Sequence, residues 1–391
     1  MNYILFDGPS RNQLLPFTYT RPVADIRVGI LTIREKWEHY LNATTSTVTE
    51  DYLSEKYPMV EMEDNVMING SVLPSQALVD LVKRLSSKQA ILKDDSILAF
   101  HTRDTQKEVN FDDYEIIQFE DDLIEIRHTW DIFSKNGIAI YLDFDLLTLN
   151  RNSQPIPSSV NVMSPENIFI EKGAKIQFST LNASNGPIYI GKDAEIMEGS
   201  LIRGPFALCE NGMVKMGAKI YGPTTVGPYC KVGGEVNNSV LFSHSNKGHE
   251  GYLGNSVLGE WCNLGADTNT SNLKNNYAEV KLWDYQTERF APTGLQFCGL
   301  MMGDHSKCGI NTMFNTGTVV GVNANIYGSG YPRNFIASFS WGGPAGVSTY
   351  QTKKAFEVAS VVMSRRNIEF SAEERAILEH VFEETKKYRK D

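Results

Sequence analysis

The chain has 391 residues, with 37 Lys and Arg against 47 Asp and Glu, for a net charge of −10. Hydrophobic residues make up 41% and charged residues 21%. That balance excludes a disordered or fibrous chain and fits two or three domains. An acidic chain without a long basic run is a poor partner for nucleic acid. No stretch reaches the roughly 20 apolar residues that span a bilayer, and MNYILFDGPSRNQ lacks the basic-then-apolar order of a signal peptide. The five cysteines, Cys209, Cys230, Cys262, Cys298 and Cys308, all lie in the second half without a CxxC pair. This argues against a disulfide framework and against a Cys-rich zinc site, and a reducing cytoplasm is expected.

The first 150 residues have ordinary α/β texture. Tyr3-Ile4-Leu5-Phe6 reads as a strand ended by Asp7-Gly8-Pro9. Helical character follows from Gly29 to Trp37. Leu78, Leu81, Val82 and Leu85 recur at helical spacing. Ala90-Ile91-Leu92 and Ile97-Leu98-Ala99-Phe100 read as short strands, and Trp130 to Asn136 as a helix leading out of the domain.

From about residue 160 the texture changes. Aliphatic residues fall every six positions at Ile190, Ile196, Ile202, Leu208, Val214, Ile220, Val226 and Val232. The spacing resumes at Tyr252, Leu258 and Leu264, and again at Met302, Cys308, Phe314, Val320 and Ile326. A period of six fits a hexapeptide β-helix, whose coils have three short faces and one inward aliphatic on each. Chance spacing in a β-sandwich does not give eight consecutive matches. Near the end, Ser371 with Glu374 three residues later marks a helix start, and the helix reads as a cap on the solenoid.

The repeat breaks between Val240 and Val257 and between Thr270 and Leu300, and breaks in a solenoid are where binding loops are placed. The first break carries His249, whose imidazole has the proton affinity of a general base at neutral pH. Tyr252 and Asn263 offer polar groups to orient a substrate, and Lys247 a cation for a phosphate. His244, His249 and His305 also raise a zinc reading, since trimeric β-helix carbonic anhydrases hold zinc with three histidines.

The segment SNKGHEGYLGNSVLGEWCNLGADTNTSNLKNN resembles the acetyltransferase motif of the GlmU family, which joins glucosamine-1-phosphate acetyltransferase to N-acetylglucosamine-1-phosphate uridylyltransferase. The family's K-x-x-H-x-x-Y-x-G-D and G-x-x-x-N-x-G-A-G-T-x-x-x-N stretches match here at His249, Tyr252, Gly254, Gly259, Asn263, Gly265, Ala266, Thr268 and Asn272. The resemblance implies His249 as general base, Tyr252, Asn263 and Asn272 as sugar-phosphate or reaction-centre contacts, and Ala266 at the acetyl-CoA thioester. It also implies a left-handed β-helix and a homotrimer with acetyl-CoA between neighbours. Asn246 stands at the family's Lys position with Lys247 one place late, Asp267 replaces a Gly, and Leu273 replaces a Tyr.

Residues Phe6 to Pro22 resemble a worn nucleotidyltransferase signature, with Arg11 at the Arg position and Arg21 as a second phosphate candidate. One Gly stands where three are usual, and Val23 replaces a Lys. Asn69-Gly70-Ser71 resembles the N-G-D that holds the catalytic metal, with Ser71 for the Asp. The expectation is therefore a truncated nucleotidyltransferase-like α/β domain over 1–155, a left-handed parallel β-helix over 160–345 and a C-terminal helical cap over 349–391. The expected activity is acetyl-CoA-dependent N-acetylation of a sugar 1-phosphate, glucosamine 1-phosphate first. Nucleotidyl transfer with Mg²⁺ is expected only if the N-terminal half turns over. The alternatives are a non-catalytic sugar-nucleotide-binding trimer and the zinc enzyme.

Overall fold

The computed structural model describes residues 1–105 and 109–389. Residues 106–108 of the expected first domain, and Lys390 and Asp391 of the expected cap, lie outside the described residues. The chain forms two compact units. Met1–Leu14, Thr20–Ile26 and Leu31–His128 make the first; Leu15–Tyr19, Arg27–Ile30 and everything from Thr129 on make the second. Among the described residues no helix is long and apolar enough to cross a membrane.

The first unit is built on a six-stranded mixed sheet. Its strands are β1 (Asn2–Phe6), β2 (Ser46–Val48), β3 (Asn65–Asn69), β4 (Gln89–Lys93), β5 (Ser96–Thr102) and β6 (Glu115–Gln118), in the order β2-β1-β3-β5-β4-β6. β1 runs parallel to both β2 and β3, and β5 is antiparallel to β3 and β4. Helix α1 (Ile33–Leu41) begins where the sequence supplies a cap: Thr32 Oγ1 accepts from Glu35 N at 3.1 Å, and Thr32 N donates back to Glu35 Oε2 at 2.6 Å. Trp37 is fully buried and donates its indole N–H to Val72 O at 2.8 Å. Helix α2 (Gln76–Val82) starts at the Ser75 cap and buries Leu78, Val79 and Val82, the face its spacing predicts.

The second unit opens with α3 (Thr129–Ser134) and α4 (Asn136–Thr148) and continues as a parallel β-helix with three faces. α4 fixes the short segment Arg27–Ile30 against the coils. Asn136 Oδ1 accepts from Gly29 N and Asp143 Oδ2 from Ile30 N, each at 2.7 Å, while Thr225 Oγ1 donates to Gly29 O at 2.9 Å. Gly29 has φ +77° and lies so close to α4 that a Cβ would meet Ala139 within 3 Å, so only glycine fits.

Regular coils are 18 residues long, so Ile190 pairs with Leu208 and Leu208 with Val226. One inward ladder runs Ile190, Leu208, Val226, Leu241, Leu258, Met302 and Val320, and every member is buried. Each such aliphatic contributes about 1.5–3 kcal/mol when withdrawn from water, which makes these ladders the main stabilising element.

Two expectations are corrected here. The inward residue of the coil after Val236 is Leu253, paired with Val236, whereas Tyr252 pairs with Glu235 on the outer surface. The reason is a short coil: Val226 pairs with Leu241 only 15 residues on, which shifts the six-residue register. The stretch from Val240 to Val257 is therefore not a break. Leu241, Lys247 and Leu253 keep the spacing of six, and a lysine at the inward position hides it from a search for aliphatics.

The second break is a true excursion. Residues 273–299 leave the coil, with a bridge between Leu273 and Phe297 at the root and an antiparallel hairpin, Lys281–Asp284 with Arg289–Pro292. Trp283 of this hairpin stacks on Phe335 with centroids 4.2 Å apart, and Tyr388 packs edge-on against Trp283, Tyr285 and Phe335. Glu288 pairs with Lys387 at 2.6 Å.

The tail holds two helices, α5 (Thr352–Ser364) and α6 (Ala372–Glu384). Ser371 caps α6, accepting from Glu374 N at 3.2 Å, as the sequence predicts. Phe382 meets Phe339 of the last coils edge-on at 5.0 Å.

Candidate active site

The strand Asn246–Lys247 turns through residues 248–251 into the strand Tyr252–Gly254, which crosses from one face of the β-helix to another. His249 and Glu250 are exposed at this corner. Their main chain is not free. Gly251 takes φ +111° and its carbonyl accepts from Glu235 N at 3.2 Å. Glu250 O accepts from Asp267 N of the next coil at 3.0 Å. Gly234 lies beneath, and a Cβ there would fall 2.8 Å from the carbonyl oxygens of both His249 and Gly251. The imidazole of His249 thus projects from a backbone held on several sides.

Lys247 does not face a substrate. It is 2% exposed, occupies the inward ladder between Val232 and Leu264, and donates from Nζ to His249 O and to Glu250 O, the latter at 3.1 Å. Burial pushes its ammonium down to about 8, against the opposing pull of Glu250, Asp267 and Cys308. The phosphate role expected for it does not fit this placement.

Tyr252 lies on the outer surface of the adjoining strand, half-buried. Its phenol oxygen accepts from Asn272 Nδ2 at 3.0 Å, and Asn272 also donates to Asn255 Oδ1 at 2.7 Å. Tyr252 N donates to Asn269 Oδ1 at 2.9 Å. Burial, then Tyr221, pushes the Tyr252 phenol up to about 12, with Asn272 pulling the other way, so the group stays protonated and can donate to a bound oxygen. One coil below, Tyr221 donates to Glu235 Oε1 at 2.6 Å, and Glu235 is the cross-strand neighbour of Tyr252. The cluster is therefore a carboxylate, two phenols and three amides beside an exposed imidazole.

Asn263 and Ala266 belong to the following coil. Asn263 is exposed and stands in register with Asn246 and Lys307. Ala266 sits at the corner stacked on the His249 loop, its carbonyl accepting from Asn311 N at 2.8 Å. Ile310 and Tyr327 continue this corner column, 69% and 50% exposed. Gly265 allows the close stacking: a Cβ there would meet the Gly309 backbone at 2.4 Å. His249, Tyr252 and Asn272 thus fall on one coil and its continuation, and Asn263 and Ala266 on the next. Sequence reasoning missed Tyr221, Glu235, Asn255 and Asn269. They become visible only when strands 15–18 residues apart are laid side by side.

The three histidines of the zinc reading do not converge. His244 stacks between Tyr229 and Trp261, with centroids 4.8 and 4.2 Å away, and Trp261 separates it from His305, which lies 6.2 Å beyond the indole. His249 is at a different corner. Among the described residues no group of three or more His, Cys, Asp or Glu could hold a metal ion.

In the first unit the nucleotidyl candidates are turned inward. Arg11 is buried, with NH1 on Asp7 Oδ2 at 2.8 Å, NH2 on Tyr52 OH at 3.0 Å and Nε 3.4 Å from Glu50 Oε1. Asp7 in turn accepts from Val23 N at 2.7 Å and Thr49 Oγ1 at 2.6 Å, and burial raises its carboxyl despite Arg11. Arg21 is 3% exposed, and its carbonyl accepts from Arg11 NH1 at 3.4 Å. Ser71, fully buried, donates from N and Oγ to Asn69 Oδ1, and its Oγ lies 3.1 Å from Glu125 Oε1, while Glu125 pairs with Arg127 at 2.7 Å. A magnesium ion needs open carboxylate or carbonyl oxygens in near-octahedral array. The oxygens here are committed to neighbours, so the set does not fit one.

Residues 3–152 match the sugar nucleotidyl transferase family. A bifunctional sugar-1-phosphate nucleotidylyltransferase/acetyltransferase of Sulfurisphaera tokodaii is 30% identical over 214 residues, 54% of this chain and 46% of that protein. The bifunctional protein GlmU of Methanocaldococcus jannaschii is 35% identical over 92 residues, 24% of this chain and 22% of that protein. The chain spans less than half the length of these curated relatives. Among solved structures, the UDP-N-acetylglucosamine acyltransferase of Campylobacter jejuni is 11% identical, with 57% of this chain and 95% of that chain covered and a TM-score of 0.28.

Proposed function

Because this chain is a GlmU-related protein, we propose that its β-helix transfers the acetyl group of acetyl-CoA to the amino group of a sugar 1-phosphate, with glucosamine 1-phosphate as the first candidate. The observation that carries this is the exposed His249 on a pinned corner loop beside the Tyr252–Asn272 pair.

His249 takes a proton from the substrate amine as its nitrogen attacks the thioester carbonyl. The C–N bond forms, the tetrahedral oxyanion collapses, and the C–S bond breaks. The departing thiolate of coenzyme A receives the proton from the imidazolium. Tyr252, held in place by Asn272, donates its phenolic hydrogen to a sugar or phosphate oxygen. Asn263 contacts the acceptor from the next coil, and Ala266 leaves room at its corner for the thioester. The exposed Ile310 and Tyr327 beside Ala266 favour a neighbouring copy at this face, and we assign the protein to a homotrimer. Five free, buried cysteines fit a reducing cytoplasm.

For the first unit, the committed Arg11 and Ser71 favour a different reading: a domain that retains the nucleotidyltransferase framework without transferring a nucleotidyl group.

The test is release of coenzyme A, followed with a thiol reagent, across a panel of amino-sugar 1-phosphates. Release with glucosamine 1-phosphate alone supports the full proposal. No release with any amino sugar by folded protein rejects it. Pyrophosphate release from UTP, with sugar 1-phosphate and Mg²⁺ present, would reject the reading of the first unit.

A further inference from the structure

We propose that Lys247 is a positioning residue for acetyl transfer, a lysine inside the β-helix that holds the His249 loop by its main chain. This rests on His249 being the base.

The ladder that contains Lys247 is otherwise apolar along this stretch: Ile196, Val214, Val232, then Lys247, then Leu264. A Leu or Met would fill the slot, and fill it at less desolvation cost than an ammonium. The cost is offset by acceptors that the loop supplies. His249 O and Glu250 O both turn inward onto Nζ. Two consecutive carbonyls aimed at one buried cation fix the peptide planes on both sides of Glu250, and with them the direction in which the His249 side chain leaves the coil. The flanking residues suit this arrangement. Gly251 at φ +111° lets the chain turn back, and Gly234 at φ +68° lets the His249 carbonyl pass where a Cβ would obstruct it. Lys247 itself touches neither acceptor nor acyl donor, since it is enclosed by the coil. Its effect on the reaction passes through the loop.

The experiment compares the full chain with Lys247→Met and Lys247→Leu. Both replacements suit an inward ladder position, so at least one is expected to fold, and melting temperature confirms it. Hydrogen–deuterium exchange is followed at residues 248–251 and in the coil around Val232, alongside kcat and KM for both substrates. The expected result is exchange at residues 249–251 at least tenfold faster, with the Val232 coil unchanged. kcat should fall tenfold or more while KM for acetyl-CoA stays within twofold. Unchanged loop exchange in a folded variant overturns the proposal, and so does a loosened loop with unchanged kcat. Failure of the wild-type chain to transfer acetyl groups would reject the reading of His249 instead, and the exchange measurement would still decide whether Lys247 tethers the loop.

Discussion

The ring of Tyr252 lies across Gly254, so that a Cβ on Gly254 would fall 2.3 Å from the phenol oxygen and 2.6 Å from the carbon that bears it. The two residues are separated by one position on the same strand, and the glycine exists to leave the phenol its place. Gly254→Ala should therefore rotate Tyr252 off Asn272. The expected outcome is a rise of about tenfold in KM for the amino sugar, the loss of roughly one charge-assisted or well-placed hydrogen bond. KM for acetyl-CoA should be unchanged. A variant with normal sugar affinity would remove Tyr252 from the acceptor subsite.

His249→Ala tests the base directly. Losing a general base lowers the rate by about two to four decades. Because the side chain is exposed, stability should stay within about 0.5 kcal/mol of wild type. Steady-state acetyl transfer together with urea unfolding checks both halves of the statement.

Lys247 makes stability depend on pH in a particular direction. Its ammonium titrates near 8 in the fold, against 10.5 when free. Between those values the unfolded chain holds the proton and the folded chain does not, so stability rises with pH across that window. The difference corresponds to about 3 kcal/mol at most. Glu250, Asp267 and Cys308 favour the charged form and Lys219 opposes it. Lys247→Met should therefore exceed wild type in stability at pH 7, and the gap should close by about pH 10. Parallel lines in unfolding free energy against pH would contradict this.

Arg11→Ala should leave Asp7 buried without its cation. Removing one partner of a buried pair costs about 3–5 kcal/mol, so the first unit should unfold well before the β-helix in a thermal scan. If Arg11 instead served a nucleotide, the same change would leave stability nearly intact.

Much of the solenoid was legible because its inward positions repeat: from Ile190 to Val232 the aliphatics alone define the ladders. The reading failed where chemistry and period separated. Lys247 keeps the period but not the polarity, so its coil looked like an insertion, and Tyr252 has a bulky ring at a position one residue before the true inward Leu253. His249 was found from its loop. Its neighbours Glu235 and Tyr221 were not, because adjacency across coils depends on coil length, and the coil that carries Glu235 is three residues short. In the first unit the order of residues resembles a phosphate-binding loop, whereas the hydrogen bonds of Arg11 could be learned only from the structure.

The clasp of Trp283 and Phe335 by Tyr388 reaches further than packing. The excursion it secures is rooted at Asn272, whose carbonyl accepts from Cys298 N at 2.9 Å. A tag, a protease cut or an antibody that pulls Tyr388 away therefore loosens the hairpin and, through its root, the amide that steadies Tyr252. The far end of the chain and the acceptor pocket are mechanically one object.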